Sequence, residues 1–282
     1  MRFFYLVFPY GYGLLFSNYG KVMIATNNSV NWLGLKTLYI KEVNRFLKVY
    51  NQTLLAPAVN AMLLLAVFSL AIGSRVQAIG DVPFAQFMVP GLIMMTVVQN
   101  AFANTSSSLI MGKVLGTYID LLMPPISAGE MTLAMVGGGI TRGIMSGAVV
   151  SLTASFFVTF TVHDIWLFAF YMIFASSLLS LLGIISGIFA DSFDQMHAIT
   201  SYIITPLAFL SGTFYSVKNL PEFWQKLNHL NPFFYIIDGF RYSMTGHNDA
   251  DIFTGVIALL VSTIILYALT YFMLKSGYRL KN

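Results

Sequence analysis

The stretch NPFFYIIDGFRY, residues Asn231–Tyr242, lies between two long apolar runs and is itself almost wholly apolar. At about a dozen residues it is too short to cross a bilayer, which takes about 20 helical residues. Asp238 and Arg241 are three residues apart and would share one face of a helix. A short apolar helix that carries two opposite charges between two spans predicts a segment that enters the membrane and returns. Such segments are typical of membrane transport proteins rather than of soluble enzymes.

The composition also indicates a membrane protein. Hydrophobic residues make up 57% of the 282 residues and charged residues 9%, with a mean hydropathy of +0.75. Because a soluble domain carries about 25% charged residues, lipid must cover much of this protein's surface. The chain contains no cysteine, which excludes thiolate metal sites, disulfides and thiol chemistry. The pI of 9.2 does not indicate nucleic acid as a partner, since the basic residues are scattered near span ends.

Six segments are long and apolar enough to span a bilayer, within the window of about 17–25 residues and allowing for tilt. They are Leu54–Ile72, Phe84–Leu109, Gly139–Phe160, Ile165–Phe189, Ala198–Phe214 and Ile252–Leu274. The sequence therefore predicts an all-α integral membrane protein with six transmembrane helices.

Basic residues are most frequent on the side of the membrane that holds both termini. That side carries Lys36, Lys41, Arg45, Lys48, Lys113, Lys275, Arg279 and Lys281, and the other side carries Arg75, Lys218, Lys226 and Arg241. Because positively charged loops stay in the cytoplasm, both termini are predicted to be cytoplasmic. The long loop Ser216–Asp251 is then predicted to face outward, with its apolar part returning into the membrane.

The first 30 or so residues show an irregular pattern. Arg2 and the apolar residues after it resemble the front of a signal peptide, but Pro9, Gly11 and Gly13 interrupt them and no clear cleavage site follows. Residues 1–31 are interpreted as a mobile extension, or as a product of start-site choice, ahead of a domain covering residues 32–282. An additional membrane contact is the alternative.

Residues Asn31–Tyr50, NWLGLKTLYIKEVNRFLKVY, have the pattern of an amphipathic helix. Apolar residues recur at helical spacing, and the charged residues fall largely elsewhere on the helical wheel: Lys36, Lys41, Glu42, Arg45 and Lys48. Such a helix lies in the membrane interface, here on the cytoplasmic side. It is either a passive anchor for the first span or a lever that contacts a cytoplasmic partner, and the pattern favours neither.

The loop between spans 2 and 3 contains a second candidate contact for a cytoplasmic partner. Thr117–Met123 is predicted to form a short helix that ends at Pro124, since proline has no N–H and restricts the residue before it. Leu121 and Leu122, beside Asp120, would present apolar side chains for insertion into a partner's groove. An ordinary loop is the alternative.

Span 2 carries a polar face made of Thr96, Asn100, Asn104 and Ser107. Polar side chains in a span usually face other helices or water, because lipid offers no hydrogen-bond partner. Hydrogen bonding between helices is the favoured interpretation. Lining of a translocation pathway is the alternative.

Span 3 contains glycines at a spacing that allows close helix packing, and it also contains an arginine, Arg142. Glycines four residues apart allow helix backbones to approach closely, at Gly139, Gly143 and Gly147, and again in span 4 at Gly183 and Gly187. Arg142 lies one turn into the predicted span 3. There, snorkelling of its side chain to the headgroups is favoured over contact with a substrate.

The sequence contains no motif for nucleotide binding or catalysis. It lacks G-x-x-x-x-G-K-[ST], so no ATP site of its own is expected. It also lacks a Ser/His/Asp set, an H-E-x-x-H motif and a carboxylate dyad. Asp191, Asp194 and His197 lie in a predicted solvated turn and form too weak a set for a metal site. We therefore expect no catalytic residue, cofactor or metal on this chain.

Several longer blocks of sequence resemble one protein family. They are KEVNRFLKVYNQTLLAPAVN at 41–60, IGSRV at 72–76, FMVPGLIMM at 87–95, GGGITRG at 137–143 and TPLAFLSGTFYSVKNLPEFWQKLNHLNPFFYIIDGFRY at 205–242. In these blocks the chain is similar to the permease subunit of type-2 ABC exporters, and most closely to the bacterial YadH-like permeases. The resemblance covers Trp32 to the C-terminus and leaves residues 1–31 outside it.

This resemblance implies partners for the chain. Two permease copies would form a homodimer in the bacterial inner membrane, surrounded by lipid, and bind separate ATP-binding cassette ATPase subunits that hold ATP and Mg. The dimer would export a substrate that the sequence does not identify, and pairing with a paralogue instead of a second copy also stays open.

The resemblance also implies roles for particular residues. The amphipathic helix would be the family's interface helix and Tyr118–Pro125 its coupling helix, where the family often has Glu in place of Asp120. The ATPase-coupling residues would be Lys41, Glu42, Arg45, Tyr118, Asp120, Leu121, Leu122 and Pro124. Leu220–Tyr242 would form the outer re-entrant hairpin that caps the exit, with Asn231, Pro232, Asp238 and Arg241 as gate residues.

Two other functions compete with this one. An ion-coupled secondary carrier would need carboxylates inside the membrane, whereas the acids here cluster at span ends, with Asp238 the main exception. A membrane scaffold without transport would not need the polar face of span 2 or the re-entrant segment. A neighbouring gene for an ATP-binding cassette protein would favour the exporter over both.

Overall fold

The computed structural model describes residues 5–7, 13–16, 22–24, 30–71, 78–79, 82–117 and 125–277. The chain separates into two units, Met1–Trp32 and Leu33–Asn282. In the first unit, three short strands form an antiparallel sheet in the order β1-β2-β3. Their bounds are Tyr5–Val7, Gly13–Phe16 and Val22–Ile24, and Leu15 is paired with both Tyr5 and Met23.

The second unit is helical. Its α-helices are α1 Trp32–Leu47, α2 Ala56–Ala71, α3 Phe84–Val114, α4 Ala128–Ala154, α5 Ile165–Phe189, α6 Phe193–Ile199, α7 Thr205–Leu210, α8 Glu222–His229, α9 Pro232–Thr245 and α10 Ile252–Ser276. Two π-helical segments, Asn51–Leu55 and Thr200–Ile204, lead into α2 and α7. A 3-10 turn covers Val217–Asn219, and a small hairpin pairs β4 (Ala78–Ile79) with β5 (Val82–Pro83).

Within the described residues, five helical segments are long and apolar enough to cross a membrane. They are Asn51–Phe68, Phe84–Val114, Ala128–Ala154, Ile165–Phe189 and Ile252–Ser276. They correspond to predicted spans 1, 2, 3, 4 and 6. The structure is therefore that of a mostly helical membrane protein, as predicted, but it does not confirm the count of six.

The predicted fifth span, Ala198–Phe214, overlaps one continuous helical stretch that runs from α6 through the second π-helical segment to the end of α7 at Leu210. Pro206, which has no N–H to donate, stands in the first turn of α7. Just before it, the Thr205 N–H bonds to the Thr200 carbonyl, five residues back instead of four. The last residues of the predicted span lie beyond the end of this helix.

Helix α4 begins earlier than the sequence predicted. Ser127 and Glu130 form a capping box, in which each side chain accepts the other residue's backbone N–H. The helix therefore starts at Ala128 and not at Gly139, the predicted start of span 3. Asp251 caps α10 in a similar way: bonds from the Thr254 N–H and hydroxyl hold the pKa of its carboxyl below the usual range.

Helix α3 forms the centre of the bundle and packs between α4 and α5. The predicted glycine faces are in close contact: a Cβ added at Gly143 would lie 3.1 Å from the Val97 carbonyl oxygen, and one at Gly187 would lie 3.1 Å from that of Ser106. At Gly183 an added Cβ would overlap the Thr105 hydroxyl. These small residues let α4 and α5 approach the backbone of α3. Helix α10, by contrast, is the least buried of the five long segments.

Candidate functional sites

Helix α1 does not keep all of its charged residues on an outer face. Its buried side chains are Leu38, Glu42 and Phe46, which follow each other at four-residue spacing and so form one stripe. Glu42 is only 1% exposed. Lys41, one residue earlier, is exposed. A carboxylate in the packed stripe requires polar partners on the helix opposite.

Those partners lie on α3. Arg45 donates from Nη1 to the Ser107 hydroxyl at 2.9 Å and from Nη2 to the Asn104 carbonyl at 2.5 Å and side-chain oxygen at 3.0 Å. Arg45 also pairs with Glu42 at 3.1 Å, and Glu42 accepts a bond from the Ser108 hydroxyl at 2.7 Å. We call these five residues the α1–α3 network. It attaches the amphipathic helix to the central helix of the bundle.

Helix α4 also packs against α1. Gly137 and Gly138 lie beneath it, against the Tyr39 ring and the Glu42 side chain. The Tyr39 and Thr141 hydroxyls are 2.9 Å apart and share a hydrogen bond. Helix α1 is therefore held by two helices of its own chain.

This geometry divides the predicted coupling residues of α1. Lys41 is exposed, whereas Glu42 and Arg45 are turned toward α3 and are occupied by bonds within the chain. The sequence placed Glu42 among the polar residues off the apolar face because nothing near it in the chain reveals a buried partner. The remaining coupling residues lie outside the described residues: Tyr118, Asp120, Leu121, Leu122 and Pro124.

The predicted polar face of α3 is largely buried. Thr96, Asn100 and Asn104 have little exposure, and Ser107 is half-buried. Thr96 and Asn100 each donate to the carbonyl four residues earlier. Asn100 accepts from Arg142 of α4 at 3.2 Å, and Asn104 accepts from Arg45 of α1. These are contacts between helices of one chain.

Arg142 lies farther from the start of its helix than the sequence predicted. Because α4 starts at Ala128, Arg142 is 14 residues from its beginning and 12 from its end at Ala154. This corresponds to about 20 Å from either end at 1.5 Å per residue. The guanidinium contacts the middle of α3 through Asn100, and its snorkelling to the headgroups stays a prediction.

The stretch that predicted a re-entrant segment forms α9, whose start is firmly anchored. Asn231 caps the helix by accepting the Phe233 N–H at 3.0 Å, and Pro232 occupies the first turn, where its missing N–H has no consequence. The Asn231 amide also donates to the Ser211 hydroxyl at 2.8 Å and to the Leu207 carbonyl at 3.1 Å. Asn231 thus joins α9 to α7.

Arg241 is 1% exposed and is surrounded by backbone oxygens. It donates from Nε to the Phe87 carbonyl at 3.2 Å and from Nη2 to the Gly212 carbonyl at 2.6 Å. Its guanidinium lies 3.8 Å from the centre of the Phe87 ring, in cation–π geometry. Arg241 therefore joins α9 to the start of α3 and to the turn after α7.

Asp238 has a different set of partners. Its two oxygens accept the backbone N–H groups of Asp249 at 2.9 Å and of Ala250 at 2.8 Å. The predicted pair with Arg241 exists, but at 3.9 Å it is longer than any of these bonds. The two charges attract each other while each is satisfied elsewhere, and Asp238 holds the loop that leads into α10.

Asp249 is a buried carboxylate that sequence reasoning did not single out. It accepts from the Ser216 hydroxyl at 2.8 Å and from the Val217 N–H at 2.7 Å, and it lies 3.5 Å from His247. These partners are up to 33 residues away, so local spacing gave no signal. With Asn231, Asp238 and Arg241 it forms what we call the α9 cluster. No group of three metal-ligating side chains occurs in the described part of the chain.

Comparison with known proteins identifies the family of this chain. A family model described as "ABC-2 type transporter" matches residues 34–245. Over 252 residues, or 89% of this chain and 98% of the relative, the chain is 38% identical to the inner membrane transport permease YadH of Escherichia coli strain K12. It is 24% identical to nodulation protein J of Rhizobium leguminosarum bv. trifolii over 253 residues, covering 88% of this chain and 94% of that relative. These matches confirm the resemblance that the sequence blocks indicated, and the chain belongs to the ABC-2 type transporter family.

Proposed function

We propose that this chain is the membrane subunit of an ATP-binding cassette exporter. The observation that carries the proposal is the α1–α3 network, in which an interface-type helix is bonded directly to the central helix of a permease-family bundle. Force applied to α1 is therefore applied to α3. ATP and Mg would be bound by separate ATPase subunits, and this chain would supply no catalytic residue.

The topology follows the positive-charge bias. In this proposal α6, the second π-helical segment and α7 together act as the fifth of six spans, and both termini are cytoplasmic. Helices α8 and α9 then form the outer re-entrant hairpin. The membrane is the bacterial inner membrane, which the name of the E. coli relative supports.

The working unit would contain two copies of this chain. Closure of the ATPases on ATP would push α1, through exposed residues such as Lys41, and the coupling segment Tyr118–Pro125. The α1–α3 network would pass that movement to α3, and the α9 cluster would hold the outer hairpin to the other end of the same helix. The equilibrium between inward- and outward-facing states would shift only as far as ATP binding favours one of them.

The buried carboxylates do not favour the alternative of an ion-coupled carrier. Asp238 and Asp249 both accept backbone N–H groups, which is the role of loop-fixing residues. A coupling carboxylate needs an oxygen that is free to take up and release an ion during transport.

The proposal is tested by co-expression of this chain with an ATP-binding cassette protein encoded beside it. We expect a stable complex in detergent, with ATPase activity that rises on reconstitution into lipid. A variant of the ATPase without its P-loop lysine is the control. A chain that purifies alone and moves solute on an ion gradient without ATP would contradict the proposal.

A further inference from the structure

The polar cluster at the middle of α3 has an excess of positive charge. Its ionisable side chains in the described residues are Glu42, Arg45 and Arg142, and Glu42 is paired with Arg45 at 3.1 Å. Arg142 takes part in none of the ion pairs of the described chain. One carboxylate and two guanidinium groups leave a net charge of +1, since arginine stays protonated in proteins.

Arg142 also has hydrogen-bonding capacity to spare. A guanidinium carries five N–H donors, and among the described residues only the Nε group has a partner, the Asn100 oxygen at 3.2 Å. The two Nη groups, which form the fork that suits a carboxylate or phosphate, have none. Asn100 is itself held by its bond to the Thr96 carbonyl, so it fixes the orientation of the guanidinium.

Arg142 lies within a helix long and apolar enough to span the membrane, where an unpaired charge is unfavourable. Charged residues within spanning helices are found facing a bundle interior, water or a counter-ion. Arg142 is half-buried and near the middle of α4. One turn to either side of it, Gly138 contacts Glu42 and Ser146 donates to the Thr53 carbonyl. Arg142 thus faces the bend between α1 and α2.

We propose that Arg142, oriented by Asn100, is a binding site for an anionic group of phosphate type at the middle of the bundle. The two free Nη groups would bind two oxygens of the anion, and the net charge of the cluster would fall from +1 to zero or below. The anion belongs either to the headgroup of an amphiphile or to free phosphate. If the proposed export function holds, this site assigns phosphate-bearing molecules to the cargo.

The test measures binding of defined probes to the purified full chain in dodecyl maltoside by native mass spectrometry. The probes are dodecyl phosphate, inorganic phosphate and dodecyltrimethylammonium. We expect one tight dodecyl phosphate per chain, a loss of about tenfold in affinity for Arg142→Gln, and a smaller loss for Arg142→Lys, which keeps the charge but lacks the guanidinium fork and the Nε donor. Lys48→Gln is the matched control, because it removes the same charge from an exposed position of the chain.

A second variant keeps the test valid if Arg142→Gln fails to fold. Asn100→Asp leaves the arginine in place and puts a carboxylate of similar shape beside its Nε, so it should weaken dodecyl phosphate binding by a similar factor. Binding of inorganic phosphate with the same loss in both variants would assign the site to a free anion. Binding of dodecyl phosphate alone would assign it to a headgroup.

Three results would overturn the proposal. These are equal dodecyl phosphate binding by Arg142→Gln and the unaltered chain, an equal loss in Lys48→Gln, or equally tight binding of dodecyltrimethylammonium. No ATPase is present in this measurement. A missing ATPase partner would therefore contradict the proposed function without affecting the anion site, and absent binding would contradict only the site.

Discussion

Gly138 of α4 lies directly against Glu42 of α1: a Cβ added at Gly138 would come within 2.7 Å of the Glu42 Cβ. The same added atom would be 3.3 Å from the Asn104 amide nitrogen. Helix α1 can bring its buried carboxylate to α3 only because α4 has no side chain at this point. The glycine thus leaves the space that the α1–α3 network needs, although it forms none of its hydrogen bonds.

Gly138→Ala is expected to push α1 away from α3 and to lower stability by roughly 1–3 kcal/mol, the usual cost of overpacking. The thermal unfolding midpoint of the purified chain in detergent measures this effect. Gly129→Ala in the same helix is the control, because its added Cβ would meet nothing closer than 3.7 Å. An unchanged midpoint for Gly138→Ala would show that α1 is not seated as described.

Lys41 and Glu42 are adjacent but should behave differently when replaced. Glu42→Gln removes the counter-ion of Arg45 inside the packed bundle and should cost about 1–3 kcal/mol of stability. Lys41→Gln changes an exposed residue and should alter stability by less than about 0.5 kcal/mol, while weakening co-purification of the ATPase. Loss of co-purification in Glu42→Gln at full stability would instead place Glu42 in the subunit interface.

Exchanging the charges at Asp238 and Arg241 should not restore function. Each single alanine variant should impair assembly or transport, because it removes a side chain that holds backbone groups of other elements. The double variant Asp238→Arg, Arg241→Asp would place an acid beside the Phe87 and Gly212 carbonyls and a cation beside two backbone N–H groups. Thermal stability and yield of the three variants are the measurements. Recovery in the exchanged form would mean that the 3.9 Å pair is the dominant contact after all.

Leu121 and Leu122 are expected to insert into a cleft of the ATPase subunit. Replacing both with Asp should uncouple transport while the chain still enters the membrane, because two charges cannot occupy an apolar cleft without a large desolvation cost. ATPase co-purification and transport are measured together, with Lys41→Gln for comparison. Full activity of the double variant would rule out these leucines as coupling residues.

The cysteine-free sequence permits a direct test of orientation. Single cysteines at Ser29 and Asn282 should react with a membrane-impermeant thiol reagent only after the cells are opened, since both termini are predicted to be cytoplasmic. A cysteine at Lys226, predicted to lie outside, is the positive control and should be labelled in intact cells. Labelling of either terminal position in intact cells would reverse the predicted topology.

The long helices could be predicted from sequence because their apolar runs exceed what any soluble helix needs. The amphipathic helix was also predicted, since its periodicity is local. Both kinds of signal are contained within the element itself. Apolar character alone does not indicate the start of α4, because the helix begins at a polar capping box formed by Ser127 and Glu130.

The site residues were harder to predict, because their partners are distant in sequence. Glu42 was assigned to a polar face, and its partner on α3, Ser108, is 66 residues away in the sequence. Asp249 was not noticed for the same reason. Asp238 and Arg241 could be identified as important because they are charged residues in an apolar segment. Their main partners are backbone groups of other elements, which the sequence does not indicate.

Two arginines from different helices clamp α3 at points 17 residues apart, Arg241 at the Phe87 carbonyl and Arg45 at the Asn104 carbonyl. That separation is about 25 Å along the helix axis. A tilt of about 5° about Asn104 would carry Phe87 by roughly 2 Å, and a hydrogen bond does not survive stretching to 3.6 Å. Helix α3 is therefore held near its start, at Phe87, and in its second half, at Asn104. It can turn only if α1 and α9 travel with it, or if one of the two clamps opens first.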